Sequence, residues 1–202
     1  MKVICIGRNY EKHANELNNP LPKEPMFFMK PDVAILKENT FYYPDFTKDL
    51  HYECEVVVRI EKVGKNIEEK FAHNYYSSIT IGIDFTARDL QEKCKENRHP
   101  WEISKSFENS APIGSKFISI DNKNIQDISF KLLKNGEIVQ IGNTKDMIFN
   151  VDYMISYISQ FMTLKTGDLI FTGTPEGVGP VSIGDYLEGF INEEKVLNLR
   201  IK

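Results

Sequence analysis

Ser78-Ile-Thr-Ile-Gly-Ile-Asp-Phe-Thr-Ala87 is an apolar run broken by one carboxylate, Asp84. A strand this hydrophobic belongs mostly inside the molecule, and a lone carboxylate is rarely left inside without a partner. Upstream, Glu53-Cys54-Glu55 sets two more carboxylates at the head of a second strand, Val56-Val57-Val58-Arg59-Ile60. Three acids on core strands ought to repel one another. A hard divalent cation held between them would remove that repulsion.

The rest of the chain reads outward from those two strands. Lys2 to Gly7 predicts a short strand, and the polar segment Asn9 to Pro25 has room for one helical turn around Tyr10 to Leu17. Short strands are expected near Met26–Met29, Ala34–Leu36 and Thr40–Tyr43, a short helix over Ile67–Asn74, and a helix over Ala87–Lys95. Phe130–Lys134 and Glu137–Ile141 flank Asn135-Gly136, the two-residue hairpin turn in which both positions tolerate positive φ. Asn150 is the expected N-cap of a helix whose Val151, Met154, Ile155, Ile158, Phe161 and Met162 form one apolar stripe. Asp168–Phe171, Asp185–Ile191 and Val196–Ile201 close the chain as strands. Strands outnumber helices and do not alternate with them as βαβ units would. The expectation is one α+β domain over residues 1–202, built of mixed or antiparallel sheet with a few short helices.

Bulk numbers set outer limits. The 202 residues are 41% hydrophobic and 27% charged, ordinary for a globular protein. Lys and Arg number 25 against 29 Asp and Glu, a net charge of -4, so nothing favours nucleic acid as a partner. Cys5, Cys54 and Cys94 lack the spacing of a zinc site or disulfide framework and read as reduced thiols. The first apolar run is too short for a signal peptide, and no stretch approaches the roughly 20 apolar residues of a membrane span. A cytoplasmic protein without a membrane partner is the expectation.

In a strand, Glu53 and Glu55 point to the same side, about 7 Å apart at the backbone, and Cys54 points to the other. Two such arms and Asp84 could occupy corners of one octahedron. Oxygen-only ligation suits magnesium, and also manganese or calcium, rather than zinc or copper. Two other readings stay open here: Glu-x-Glu as the solvated face of an edge strand, and Asp84 as the cap of the helix that follows. His13 and Glu16 share a face of a helical turn, where the glutamate could orient the imidazole as a general base. His51, His73 and His99 read as surface residues. Gly173-Thr-Pro-Glu-Gly-Val-Gly179 could present backbone N–H groups to an anion, without matching a nucleotide-binding loop.

Taken together, several blocks resemble the fumarylacetoacetate hydrolase family, in particular its small acylpyruvate hydrolase branch. They are Gly7-Arg-Asn-Tyr10 with His13 and Glu16, Phe28-Met-Lys-Pro31, His51-Tyr-Glu-Cys-Glu55, Asp84-Phe-Thr-Ala-Arg-Asp89 with Gln91, Ser104-Lys-Ser-Phe107 and Thr172-Gly-Thr-Pro-Glu-Gly-Val-Gly-Pro180. The resemblance implies a roll of mixed β-sheet, a homodimer, and a small-molecule 2-oxo acid as substrate. It implies Glu53, Glu55 and Asp84 as Mg²⁺ ligands, His13 and Glu16 as a catalytic dyad on a lid, and Lys105 as an active-site lysine. Arg8, Arg88, Gln91 and Thr174 become substrate contacts by the same resemblance. The activity it implies first is metal-dependent hydrolysis of the C–C bond of 3-acylpyruvates. The alternatives are oxaloacetate decarboxylation or tautomerisation, and isomerisation of hydroxy-dienoates.

Overall fold

The computed structural model describes residues 1–17, 19–120 and 125–202. Its centre is a six-stranded sheet in the order Ile118–Ser119, Tyr76–Ile83, Cys54–Ile60, Leu169–Phe171, Val3–Gly7, Met26–Lys30. Neighbours run antiparallel except Val3–Gly7 against Leu169–Phe171, which is parallel, so the sheet is mixed as expected. A second sheet of five strands runs Glu137–Asn143, Ser129–Lys134, Tyr186–Ile191, Glu194–Ile201, Thr40–Phe41. Sheets predominate over short helices throughout, which places the chain in the α+β class.

Side chains on a strand alternate between faces, and here both faces of the central sheet are covered. Ile4, Ile6, Val56, Val58, Ile79, Ile81 and Ile170 enter the main core, where they meet Phe130, Leu132, Leu187, Leu197 and Leu199 of the second sheet. The alternate positions Val3, Cys5, Val57, Leu169 and Phe171 form a smaller core on the opposite face. Two-sided burial explains why these strands read as continuous apolar runs instead of alternating ones. It also decides where the acids go. Glu53 and Glu55 share the face of Val57, while Cys54 packs in the main core.

Local sequence set most of the smaller elements. Asn135 (φ 55°) and Gly136 (φ 87°) make the expected hairpin turn between Ser129–Lys134 and Glu137–Asn143. Asn150 caps the helix Val151–Phe161 by accepting from the Tyr153 N–H at 2.8 Å. The expected apolar stripe is buried at Val151, Met154, Ile155 and Ile158, and Met162 packs half-buried against the same core, but Phe161 does not. Phe161 is 59% exposed, its ring leaning on Tyr157 and Phe27 instead of the core. The helix expected over Ile67–Asn74 is shorter, Glu69–Ala72, and continues as a 3₁₀ turn. The strand carrying the opening run spans Tyr76–Ile83, so Asp84 stands just beyond its end. Among the described residues no helix is long and apolar enough to cross a membrane.

Cys5, Cys54 and Cys94 are free thiols with 0%, 0% and 1% exposure. Burial pushes the Cys5 and Cys54 thiols above the usual cysteine range, and only the thiolate reacts readily. The folded protein should therefore release no thionitrobenzoate from Ellman's reagent over an hour at pH 8, and three equivalents once unfolded in guanidinium. Rapid native labelling of even one thiol would contradict this packing.

Candidate active site

The antiparallel register sets the head of Cys54–Ile60 beside the tail of Tyr76–Ile83: Cys54 pairs with Ile83 and Glu55 with Gly82. One more residue along each strand, the Asp84 N–H donates to the Glu53 carbonyl at 2.8 Å. Glu53, Glu55 and Asp84 are thereby gathered with 6%, 2% and 1% exposure. One carboxylate oxygen from each lies within 4.8 Å of the others. Both alternative readings of these acids fail. Cys54–Ile60 is an interior strand, paired on both edges, and the helix Arg88–Asn97 has Ala87 at its N-cap with no side-chain cap.

Cations from three other elements surround the cluster. Lys105 Nζ donates to Glu53 Oε2 and Asp84 Oδ2, each at 2.8 Å, and Arg88 Nη2 donates to Glu53 Oε1 at 2.7 Å. Lys30 Nζ stands 2.7 Å from Asp84 Oδ1. Its three protons are shared among the Phe85, Lys105 and Ser110 carbonyls and Ser110 Oγ, so its contact with the buried Asp84 Oδ1 is an ion pair without a hydrogen bond. Among the described residues the cluster's ion pairs go to Glu53 and Asp84, and none to Glu55. Its Oε2 accepts the Gly173 N–H at 2.7 Å.

The electrostatics divide accordingly. Burial pushes the Glu53 carboxyl up, but Lys105, Arg88 and His13 together hold it well below the usual carboxylate range. Burial, then Asp84 and Glu53, push Glu55 well above it, against weaker pulls from Gly173 and Lys105. Burial works against a charged Lys105, yet Asp84 and Glu53 outweigh it and raise its pKa. The cluster is thus short of positive charge on the Glu55 side and carries an Asp84 oxygen without a hydrogen bond. A hard divalent cation fits such an all-oxygen donor set.

The helix Glu11–Glu16, which the resemblance implies as a lid, follows Gly7-Arg-Asn-Tyr10. His13 is 6% exposed, and its Nδ1 stands 3.3 Å from Glu16 Oε2. Glu16 Oε1 in turn accepts the Gly177 N–H at 3.1 Å. The glycine-bearing loop does bind anions, but they are the protein's own carboxylates, Glu55 through Gly173 and Glu16 through Gly177. Asn9 ties the lid's base to the same loop: its side chain bonds Phe149 N and O and the Thr172 carbonyl. This clamp leaves the preceding Arg8 at φ 59°, a left-handed conformation that costs a non-glycine residue on the order of 1 kcal/mol.

One pocket is lined by nine of the ten residues singled out from sequence: Arg8, His13, Glu53, Glu55, Asp84, Arg88, Gln91, Lys105 and Thr174. Glu16 stands behind His13. Arg88 Nη1 donates to Gln91 Oε1 at 2.8 Å, and Thr174 Oγ1 donates to the Cys54 carbonyl at 2.9 Å. His73 and His99 are exposed, and His51 pairs with Asp49 at 2.8 Å, all three outside the pocket. Two structural partners were missed. Lys30 shares strand parity with Phe28, which lines the pocket, and that was its available signal. Gln140 accepts from the Cys54 N–H at 2.9 Å and donates to Thr174 Oγ1 at 2.8 Å. These contacts span 86 and 34 residues of chain, and no local pattern announces them.

A buried acid cluster beneath a histidine-bearing helix, ringed by lysine and arginine, is an arrangement typical of functional sites. A family model described as fumarylacetoacetate (FAA) hydrolase C-terminal matches residues 2–201. A mitochondrial oxaloacetate decarboxylase of Dictyostelium discoideum is 43% identical over 190 residues, 93% of this chain and 87% of that protein. A mitochondrial oxaloacetate tautomerase of Bos taurus is 38% identical over 201 residues, 99% of this chain and 90% of that one. The crystal structure of a Pseudomonas aeruginosa fumarylpyruvate hydrolase in complex with Mn²⁺ and pyruvate superposes with a TM-score of 0.93 at 37% identity, covering 100% of this chain and 89% of that one. The chain belongs to the fumarylacetoacetate hydrolase family.

Gly173 is required twice over. Its φ is +98°, and a Cβ there would stand 2.7 Å from Asn9 Cβ. Gly173→Ala should cost at least about 2 kcal/mol, from backbone strain plus a contact that Asn9 cannot relieve. Gly136→Ala, with positive φ but nothing within 4 Å, supplies the strain alone. Thermal unfolding should place Gly173→Ala several degrees below Gly136→Ala; equal midpoints would disprove the close approach.

Proposed function

We propose that this chain is a divalent-metal-dependent enzyme that acts on oxaloacetate through its enolate, by tautomerisation or decarboxylation. The observation carrying this reading is the convergence of three buried carboxylates and His13 on one pocket. The choice of oxaloacetate over the acylpyruvates expected first is supported by the relatives named above, an oxaloacetate decarboxylase and an oxaloacetate tautomerase. Glu53, Glu55 and Asp84 would hold the cation, for which we propose Mg²⁺; Mn²⁺ and Ca²⁺ suit the same oxygen donors. When bound, the cation supplies Lewis-acid polarisation of a 2-oxo group and neutralises developing enolate charge.

The chain's own residues supply the rest. Lys105 keeps a positive charge at the acid cluster, where it offsets negative charge growing on the 2-oxo oxygen. With Nδ1–H donated to Glu16, His13 presents Nε2 as the base, and Glu16 stabilises the imidazolium once it forms. For tautomerisation, Nε2 takes the C3 proton of the keto form and returns it to the enolate oxygen. For decarboxylation, the C3–C4 bond breaks, CO₂ leaves with no electrons from that bond, and His13, first protonated at Nε2 by a proton taken up from water, delivers that proton to C3 to give pyruvate. The Glu16–Gly177 bond holds the lid over the pocket and keeps bulk water from quenching the enolate. Arg8, Arg88, Gln91 and Thr174, which line the same pocket, would orient the substrate, and the same proposal includes a homodimer.

Hydrolysis of a C–C bond is the second reading, supported by the fumarylpyruvate hydrolase structure. It uses the same groups, with His13 deprotonating water rather than carbon. Purified protein with Mg²⁺, offered oxaloacetate and acetylpyruvate separately, distinguishes the two. We expect accelerated enol interconversion or CO₂ release from oxaloacetate and a constant acetylpyruvate absorbance; the reverse pattern would replace this proposal with the hydrolase. Chelation with EDTA should abolish turnover, and added Mg²⁺ or Mn²⁺ should restore it.

Two substitutions separate metal binding from proton transfer. His13→Ala should lower kcat by about 10²–10⁴-fold while Mn²⁺ affinity, measured by calorimetry, changes little. Glu53→Gln should weaken Mn²⁺ binding at least tenfold. Unchanged turnover in the first variant, or unchanged affinity in the second, would remove that residue from its assigned role.

A further inference from the structure

Glu137–Asn143 is the outermost strand of the five-stranded sheet, and Gln140 is its one buried residue, 2% exposed. Its turn inward follows from an irregularity in the pairing. Leu133 pairs with Ile138 but Leu132 with Gln140, so Val139 is an extra residue, a β-bulge of the kind that re-aims a side chain. Gly177 lets the glycine-bearing loop close on that bulge: its φ is +93°, and a Cβ there would collide with the Val139 carbonyl oxygen. A glutamine on an edge strand is ordinarily solvated. Here Oε1 accepts the Cys54 N–H at 2.9 Å, and Nε2 donates to Thr174 Oγ1 at 2.8 Å and to the Pro175 carbonyl at 3.0 Å.

Thr174 Oγ1 in turn donates to the Cys54 carbonyl at 2.9 Å. Three bonds thus close a ring from Cys54 through Gln140 and Thr174 back to Cys54. The Cys54 backbone needs that ring. It lies opposite Ile83 on one side, but on the other Leu169–Phe171 pairs only with Val57, Val58 and Arg59 and does not reach it. Gln140 and Thr174 supply the acceptor and the donor that a neighbouring strand would have supplied. Cys54 stands between Glu53 and Glu55, so its backbone angles set how far apart the two glutamate arms are held.

We propose that Gln140 is a positioning residue that selects for ion size: by fixing the Cys54 backbone it holds Glu53 and Glu55 at the spread a small divalent cation requires. The proposal rests on the reading above, in which these two acids and Asp84 hold the cation. Mg²⁺ demands near-octahedral oxygens at about 2.1 Å, whereas Ca²⁺ accepts oxygens at about 2.3–2.6 Å in flexible arrangements. A rigid pair of arms therefore matters to the smaller ion and much less to the larger. The acid cluster alone does not make that distinction, because its all-oxygen donor set suits both ions.

Calorimetric titration of the EDTA-treated protein with Mg²⁺ and, separately, with Ca²⁺ tests this. Gln140→Met removes the glutamine's bonds at similar volume, and Thr174→Val opens the ring from a different element, so either variant that folds carries the test. Each should weaken Mg²⁺ binding about tenfold, as for other partners that support metal ligands, and Ca²⁺ binding by no more than about threefold. Gly136→Ala strains the same hairpin without touching the ring and should leave both affinities at the wild-type value, although it lowers the unfolding midpoint. Equal losses for the two ions in the ring variants, or a Mg²⁺ loss as large in Gly136→Ala, overturn the size selection. Wild-type binding of Mg²⁺ with no change in the folded ring variants removes the role of Gln140 alone. A wild-type protein that binds neither ion overturns the metal-ligand reading itself, and the size selection with it.

Discussion

Three carboxylates buried within a few ångströms of one another are the constraint on which the rest of this structure depends. Burial alone disfavours each charge, and each neighbour adds repulsion. The fold answers with cations drawn from distant parts of the chain: Lys30 from the sheet edge strand, Arg88 from the start of a helix, and Lys105 from the short helix that follows. The answer is uneven. Glu53 is held ionised by two cations, while Glu55 relies on a backbone N–H and is pushed toward its neutral form. A site balanced this way is poised for one more positive charge on one side, which is what a dissociable metal site requires.

The glycine-bearing loop and the lid solve a related problem. Gly173 and Gly177 both direct N–H groups at glutamates, one at the cluster and one behind His13. A single loop thereby couples the acid end of the pocket to the base above it. Asn9 completes the link through Thr172 and Phe149, so the lid helix is tied to the floor it covers. Gln140 and Thr174 brace the same junction from beneath, through the Cys54 backbone.

What could be read from the residues follows from range. Asn135-Gly136 and Asn150 act within three or four residues, and both formed as local chemistry dictates. The buried strands Cys54–Ile60 and Tyr76–Ile83 were legible because burial on both faces leaves an uninterrupted apolar run, and the acids stood out against it. Phe161 was misjudged because helical spacing reports a face but not where the sheet beneath it stops. Lys30 and Gln140 went unassigned because their partners lie 34 to 86 residues away, and a lysine or glutamine in a strand is ordinarily solvated. Glu53, Glu55 and Asp84 lie together, as do His13 and Glu16, in the groups that the resemblance named from distant blocks of sequence.

The reaction itself was the least legible level. Hydrolysis, decarboxylation and tautomerisation share an enolate next to a cation, so all three need the same carboxylates, the same lysine and the same histidine. On the proposed reading they would differ in what His13 protonates or deprotonates: water, or a substrate carbon. That difference would lie in where the substrate's far end sits and whether a water fits beside it, which depends on the pocket wall rather than on the carboxylates, the lysine and the histidine. Specificity and reaction type would then be two consequences of how one pocket wall places the substrate.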